Sequence, residues 1–320
     1  MLSKRSDFKS AYGRAECYLS NAIQSGRIPH ALIIAGPEGS GREELARFIC
    51  KKLLKCESDK SLDAHPDYLE FDCVQKSKDI DRLHALLEEL RQRPFGGGFR
   101  TVLFRESQHL REQYQNVLLK TLEEPPANTV FIFEGNETGL LPTIRSRSAV
   151  IRIGVRDGQE LKAMLLNAGA TREEAEFYAR VSGGIPGSAL SLYSDDEKRK
   201  LRNIALDCAE AALSRKLDFS LGNAIEQTAP DTEDKGRANA QFALDRLLSF
   251  FRDMLLLKSG FEIEENIDRT SSLHPLAARF TSGGINCIID LLLEAKIRIA
   301  HNANPERTLD RLMIDISEVL

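Results

Sequence analysis

The chain lacks the features that mark several specialised classes of protein. Its six cysteines include no C-x-x-C pair, which argues against a disulfide framework or a zinc site and favours reduced thiols in a cytoplasmic protein. No apolar run is long enough to span a bilayer, so we expect no contact with membranes. The net charge is only −4, which argues against a strongly nucleic-acid-binding surface. No apolar stretch follows residues 1–7, so we expect no signal peptide.

What remains is an ordinary globular composition with a clear change of pattern along the chain. The length of 320 residues allows one to three domains. Up to about residue 154, short apolar runs alternate with amphipathic segments, which predicts a doubly wound parallel sheet. Beyond that point the pattern is helical throughout, with a break at residues 182–187. The predicted strands are residues 31–35, 68–71, 101–104, 130–133 and 150–153.

The most informative motif is a phosphate-binding loop with the wrong chemical residues. Residues 36–43 read Gly36-Pro37-Glu38-Gly39-Ser40-Gly41-Arg42-Glu43, between a predicted strand and a predicted helix. The working pattern is G-x-x-x-x-G-K-[ST], in which Lys reaches the phosphates and the hydroxyl binds Mg²⁺. Here Arg42 replaces the Lys and Glu43 replaces the hydroxyl residue. We expect Gly36, Gly39, Gly41 and Arg42 to form a degenerate loop; a simple glycine turn is the alternative.

The second acidic site of such an ATPase is also altered. The third predicted strand would normally end in Asp-Glu, where Asp supports Mg²⁺ and Glu polarises the attacking water. Here it ends in Arg105-Glu106, so a cation stands where the metal should be supported. We therefore expect no bound metal, no cofactor and no intrinsic ATPase activity.

Three further polar segments allow two interpretations each. Arg145 and Arg147 are either part of a solvated loop or include an arginine finger, a cation presented to the γ-phosphate of a neighbouring subunit. Basic residues within 91–105 could contact nucleic acid, but a solvated face fits them better. His65-Pro66-Asp67 has groups able to bind metal but no partner at ligand spacing, so we interpret it as a turn.

Several motifs, spread over nearly the whole chain, resemble those of δ′-type subunits of the bacterial DNA polymerase III clamp loader, which belong to the AAA+ family. The resemblance rests on these segments: Arg27-Ile28-Pro29-His30-Ala31, Gly36-Pro37-Glu38-Gly39, His65-Pro66-Asp67-Tyr68, Asn116-Val117-Leu118-Leu119-Lys120-Thr121-Leu122-Glu123-Glu124-Pro125-Pro126, Leu140-Leu141-Pro142-Thr143-Ile144-Arg145-Ser146-Arg147 and Asn302-Ala303-Asn304-Pro305. It implies a P-loop-type AAA+ domain over residues 1–153, a small helical lid over 154–195 and a helical collar over 196–320.

The resemblance also implies functional roles. The family's complex contains δ, γ/τ and δ′ subunits, opens the ring-shaped sliding clamp and loads it on primer–template DNA. Arg147 would be the finger, although Ser146-Arg147-Ser148 departs from the usual Ser-Arg-Cys. Glu134 would replace the residue that senses γ-phosphate, and Gly187 the lid arginine of active relatives. The family's four-cysteine zinc module is missing, because only Cys56 lies shortly before His65.

Two alternatives stay open at this point. The chain could be an active AAA+ ATPase of the γ/τ type, which would require Arg42 to replace Lys and the metal to bind without Asp. It could also be a standalone nucleic-acid-binding module, which the acidic balance of the chain disfavours.

Overall fold

The computed structural model describes residues 21–22, 28–74, 80–215, 220–227, 233–300 and 303–319. Our interpretations of residues 1–7, Arg27 and Asn302 concern positions outside these ranges. The chain forms two compact units, one of residues 1–156 with 185–187 and one of residues 157–184 with 188–320. The three domains of residues 1–153, 154–195 and 196–320 stay a prediction.

A five-stranded parallel sheet organises the first unit, as predicted. Its order is β2-β3-β4-β1-β5, and every neighbouring pair is parallel. Each predicted strand is present with its ends shifted by no more than two residues. The strands are β1 (Ala31–Ala35), β2 (Tyr68–Asp72), β3 (Arg100–Arg105), β4 (Thr129–Gly135) and β5 (Ala149–Arg152).

Helices connect the strands and supply apolar side chains to both faces of the sheet. On one face, Leu45 and Ile49 pack with Ile34. On the other, the rings of Phe104 and Phe133 stack with centroids 5.0 Å apart. The helices are α1 (Arg42–Leu54), α2 (Asp59–Asp63), α3 (Ile80–Glu89), α4 (Glu112–Glu123) and α5 (Pro142–Ser146), with 3₁₀ turns at Ser107–His109 and Glu137–Gly139.

The order of the strands explains where the candidate site forms. Strands β3, β4 and β1 are neighbours, and Phe104 pairs with Phe133 while Ala35 pairs with Gly135. Because parallel strands end at the same edge of a sheet, the residues at and after these ends come together. The phosphate loop, the Arg105-Glu106 pair and Glu134 therefore share one edge.

A buried ion pair fixes the start of strands β2 and β3. Asp67 and Arg100 are each about 1% exposed, and the Arg100 guanidinium donates to Asp67 through Nε (3.2 Å) and Nη2 (3.1 Å). The N–H groups of Phe95 (3.0 Å) and Gly96 (3.2 Å) donate to the same carboxylate. The turn predicted at His65-Pro66-Asp67 is confirmed. It positions Asp67 for the buried ion pair with Arg100, which the sequence analysis did not predict.

The second unit is helical throughout its described residues, as predicted. Its largest apolar core is built around Leu247, Phe250 and Phe251 of one long helix. Asn304 caps the final helix, since its side chain accepts a hydrogen bond from the Arg307 N–H (2.9 Å). The helices are α6 (Gly158–Asn167), α7 (Arg172–Val181), α8 (Pro186–Ser194, whose first two residues belong to the first unit), α9 (Asp196–Leu213), α10 (Leu221–Gln227), α11 (Glu233–Lys258), α12 (Thr270–Arg279), α13 (Ser282–Ala300) and α14 (Pro305–Glu318), with a 3₁₀ turn at Ile267–Arg269.

One predicted boundary in the helical half is wrong. The sequence placed Pro186 and Gly187 in the break between helices, but Pro186 is the first residue of α8. Proline suits this position, because its fixed φ is helical and the N–H that it lacks would have no helical acceptor there.

Candidate functional site

The predicted phosphate loop, residues 36–43, follows a tight backbone path that its glycines allow. Gly39 (φ +76°) and Gly41 (φ +92°) adopt left-handed conformations that side chains with a Cβ rarely adopt. A Cβ on Gly36 would lie 2.8 Å from the Ser40 hydroxyl oxygen and 2.9 Å from the Ile153 carbonyl oxygen. The three predicted glycines therefore shape a tight loop between β1 and α1.

Arg42 points into this loop. Its side chain is only 7% exposed, and Nη1 donates to the Gly36 carbonyl at 2.9 Å. Nη2 donates to the Glu106 carboxylate at 2.6 Å, and Nε donates to Glu134. The guanidinium thus ties the loop to the ends of β3 and β4. The sequence identified Arg42 as the wrong residue for phosphate but did not predict these partners.

The two carboxylates that receive Arg42 are themselves held in place. The Glu106 N–H donates to Glu134 (2.9 Å), and the Gln108 side-chain amide donates to Glu106 (2.5 Å). Burial alone would lower the pKa of Arg42, but Glu134 and Glu106 outweigh it and raise that pKa. Burial raises the pKa of the Glu134 carboxyl, and Arg42 opposes this. Arg42 therefore stays charged in the position it occupies.

A second ion pair replaces the groups expected to support a metal. Arg105 lies 2.9 Å from Glu43 and 3.3 Å from Glu70. Burial alone would lower the pKa of Arg105, but Glu43 and Glu70 outweigh it and raise the pKa. The sequence predicted a cation at this place but not its partners. The structure instead pairs it with the residue that replaces the Mg²⁺-binding hydroxyl.

The charges of this cluster do not favour a nucleotide. Arg42 and Arg105 contribute two positive charges, and the four carboxylates that contact them contribute four negative charges, for a formal sum of −2. A triphosphate would meet net negative charge, and the one guanidinium inside the loop already has acceptors. Among the described residues, no group of three or more His, Cys, Asp or Glu side chains is arranged to hold a metal ion.

Gly187 closes one side of the loop. It lies in the part of α8 that belongs to the first unit, and its N–H donates to the Gly39 carbonyl at 2.9 Å. A Cβ at this position would lie 2.9 Å from the Gly39 Cα. A larger side chain could not fit here unless the backbone shifted.

Arg147, the predicted finger, has a different setting. It directly follows α5, and its side chain is 37% exposed. Nη2 donates to Glu123 at 2.7 Å, and Nη1 donates to the Thr143 carbonyl at 3.2 Å. Arg145, the other arginine of the motif, is also exposed. The structure does not bring Arg147 into the hydrogen-bonded cluster around Arg42.

The segment that leads into α5 is held by a residue that the sequence analysis missed. The buried Gln115 amide donates to the carbonyls of Leu110 (2.7 Å) and Gly139 (2.9 Å). Its oxygen accepts from the Leu141 N–H at 2.7 Å. A polar residue on the otherwise apolar buried face of α4 was the available signal.

The fold and the site together define a parallel-sheet domain in which the glycine-rich loop after β1 holds the chain's own Arg42 side chain. Residues 13–156, a little under half of the chain, match the family described as "DNA polymerase III, delta subunit". Among the described residues no single helix is both long and apolar enough to cross a membrane; α12 and α13, with the 3₁₀ turn before them, pass that test only as a pair bent by 114°.

Relatives among curated proteins agree with the family match. The δ′ subunit of Escherichia coli DNA polymerase III is 31% identical over 193 residues, which is 55% of this chain and 58% of that protein. The δ′ subunit of Bacillus subtilis is 23% identical over 320 aligned residues, covering 94% of each chain. The γ/τ subunit of Mycobacterium tuberculosis is 29% identical over 279 residues, 75% of this chain and 47% of that protein.

The chain therefore spans about half the length of the γ/τ relatives that it matches. The predicted resemblance to subunits of the DNA polymerase III clamp loader is confirmed.

Proposed function

We propose that this chain is a δ′-type clamp-loader subunit that does not hydrolyse ATP itself and completes the ATP site of a neighbouring γ/τ subunit. It acts in a cytoplasmic complex with δ and γ/τ, which loads the sliding clamp on primer–template DNA. Residues 1–153 form its degenerate nucleotide domain, residues 154–195 its lid, and residues 196–320 the collar that joins the subunits.

The observation that carries this proposal is the guanidinium of Arg42 inside the phosphate loop. An active loop needs a flexible Lys to follow the phosphates and a hydroxyl to bind Mg²⁺. Arg42 instead donates hydrogen bonds to three acceptors of its own chain, and Glu43 forms an ion pair with Arg105. Binding of Mg·ATP would have to break these contacts, of which the one between Arg42 and Glu134 is buried.

The position of Arg147 supports a role in trans. Phosphoryl transfer develops charge on the phosphate oxygens, and a guanidinium from a neighbouring subunit stabilises that charge. Arg147 is exposed, and it uses two hydrogen bonds of the five N–H donors that a guanidinium offers. Such a residue does not depend on the chain's own nucleotide site.

An active γ/τ-like ATPase is the second candidate, because the γ/τ relative aligns with 75% of this chain. The geometry around Arg42 and Arg105 opposes it. Mg²⁺-dependent ATP hydrolysis by the purified chain alone would favour this candidate over our proposal.

The proposal is tested by Arg147→Ala in the reconstituted complex. Trans-acting arginine fingers contribute about 10³–10⁵ in rate elsewhere, so we expect ATP hydrolysis by the complex to fall at least about tenfold while assembly is retained. Arg145→Ala is the matched control, since it removes an exposed arginine two residues away. A loss below roughly tenfold, or an equal loss with Arg145→Ala, would count against the role.

A further inference from the structure

We infer that Glu123 is a positioning residue for Arg147; this inference rests on the proposed function of Arg147. Glu123 is the last residue of α4, and Arg147 immediately follows α5. The Glu123 carboxylate accepts from Nη2 of Arg147 at 2.7 Å, across 24 positions of sequence. The Thr143 carbonyl accepts from Nη1 at 3.2 Å.

These two contacts fix the plane and direction of the guanidinium. Arginine has a long, flexible side chain, and a planar group with two fixed hydrogen bonds can no longer rotate freely. Because two of its five N–H donors are occupied, three remain for phosphate oxygens. Glu123 thus holds part of the guanidinium and leaves the rest available.

The contact is better suited to orientation than to stability. Both side chains are well exposed, Arg147 at 37% and Glu123 at 51%. Exposed ion pairs contribute little to the stability of a fold, because water and salt screen them. A substitution at Glu123 should therefore leave the melting temperature nearly unchanged while altering the rate of the reaction that Arg147 assists.

The test uses the reconstituted complex and measures ATP turnover at saturating ATP. We expect Glu123→Ala to lower kcat roughly two- to fivefold, the range that an exposed charge pair supports. Glu123→Gln should recover most of this loss, since its carbonyl can accept the same hydrogen bond. Glu124→Ala removes an equal charge from the adjacent exposed residue and should have no effect.

A double variant separates positioning from a general structural role. If Glu123 acts only through Arg147, Glu123→Ala should cause no further loss in an Arg147→Ala background. The inference would be overturned if the losses caused by the two substitutions are additive. It would also be overturned if Glu123→Ala raises the rate of ATP turnover, or if the rate equals that of Glu124→Ala. In these cases a large effect of Arg147→Ala alone would leave the proposed function intact. If Arg147→Ala has no effect, the proposed function itself fails.

Discussion

The interior of the phosphate loop and the surface at α5 use arginine in opposite ways. Arg42 is 7% exposed and donates to two carboxylates and a carbonyl, so its hydrogen-bonding capacity serves the chain's own fold. Arg147 is 37% exposed and holds one carboxylate and one carbonyl near the surface. Arg42 and Arg147 therefore differ in burial and in the number of acceptors that they contact, although both are arginines.

Asp67 and Arg100 form a second buried ion pair. Of the proposed changes, breaking this pair should lower the free energy of unfolding the most. Asp67→Asn would leave the Arg100 guanidinium buried without a compensating charge, so we expect a loss of about 3–5 kcal/mol in the free energy of unfolding. Chemical denaturation of the purified chain measures it.

Asp59→Asn is the matched control, because Asp59 is 60% exposed and pairs with Lys51 at the surface. It should cost no more than about 1 kcal/mol. Similar losses for the two variants would remove the distinction between interior and surface pairs.

Arg42→Ala should have the next largest effect. It would remove the partner of the buried Glu134 and of the partly exposed Glu106, so we expect a loss of roughly 2–3 kcal/mol, somewhat below that of a fully buried pair. Arg147→Ala is the control of the same residue type and should change stability by less than about 1 kcal/mol. If the two variants melt alike, Arg42 does not stabilise the loop.

The pH dependence of stability is a smaller test of the interior pairs. Burial alone would raise the pKa of Asp67, but the Phe95 and Gly96 N–H groups and Arg100 outweigh it, so the pKa lies below its ordinary value. The stability that this carboxylate contributes is therefore complete above about pH 4, near the unfolded pKa, and is lost as pH falls through the lower folded pKa.

Denaturation of the wild-type chain and Asp67→Asn between pH 6 and pH 3 checks this expectation. The difference in stability between the two should stay constant above about pH 4 and shrink below it. A difference that grows as the pH falls would contradict the assigned pairing.

The fold could be predicted from the sequence because its main signals are local. Buried strands of a parallel sheet appear as continuous apolar runs, and β3 and β4 needed only one or two more residues at each end than predicted. Helix α11 begins at Glu233, although the apolar periodicity predicts a helix only over Phe242–Leu257, because its polar first turns carry no such periodicity.

The site was only partly predictable, since its decisive contacts join distant residues. The sequence showed that Arg42, Glu43 and Arg105 replace the expected groups, and that Glu134 stands at the end of a strand. It could not show that Arg42 reaches Glu134, 92 positions away, or that Arg105 pairs with Glu43. Glu123 lay in a recognised motif but had no assigned role, because its partner is fixed only by the tertiary fold.

The most direct test of the central claim is equilibrium binding of Mg·ATP to the purified chain, measured by titration calorimetry. We expect no saturable binding with or without Mg²⁺, because Arg42 and Arg105 are neutralised by carboxylates of the same chain. Saturable, Mg²⁺-dependent binding of ATP would contradict it.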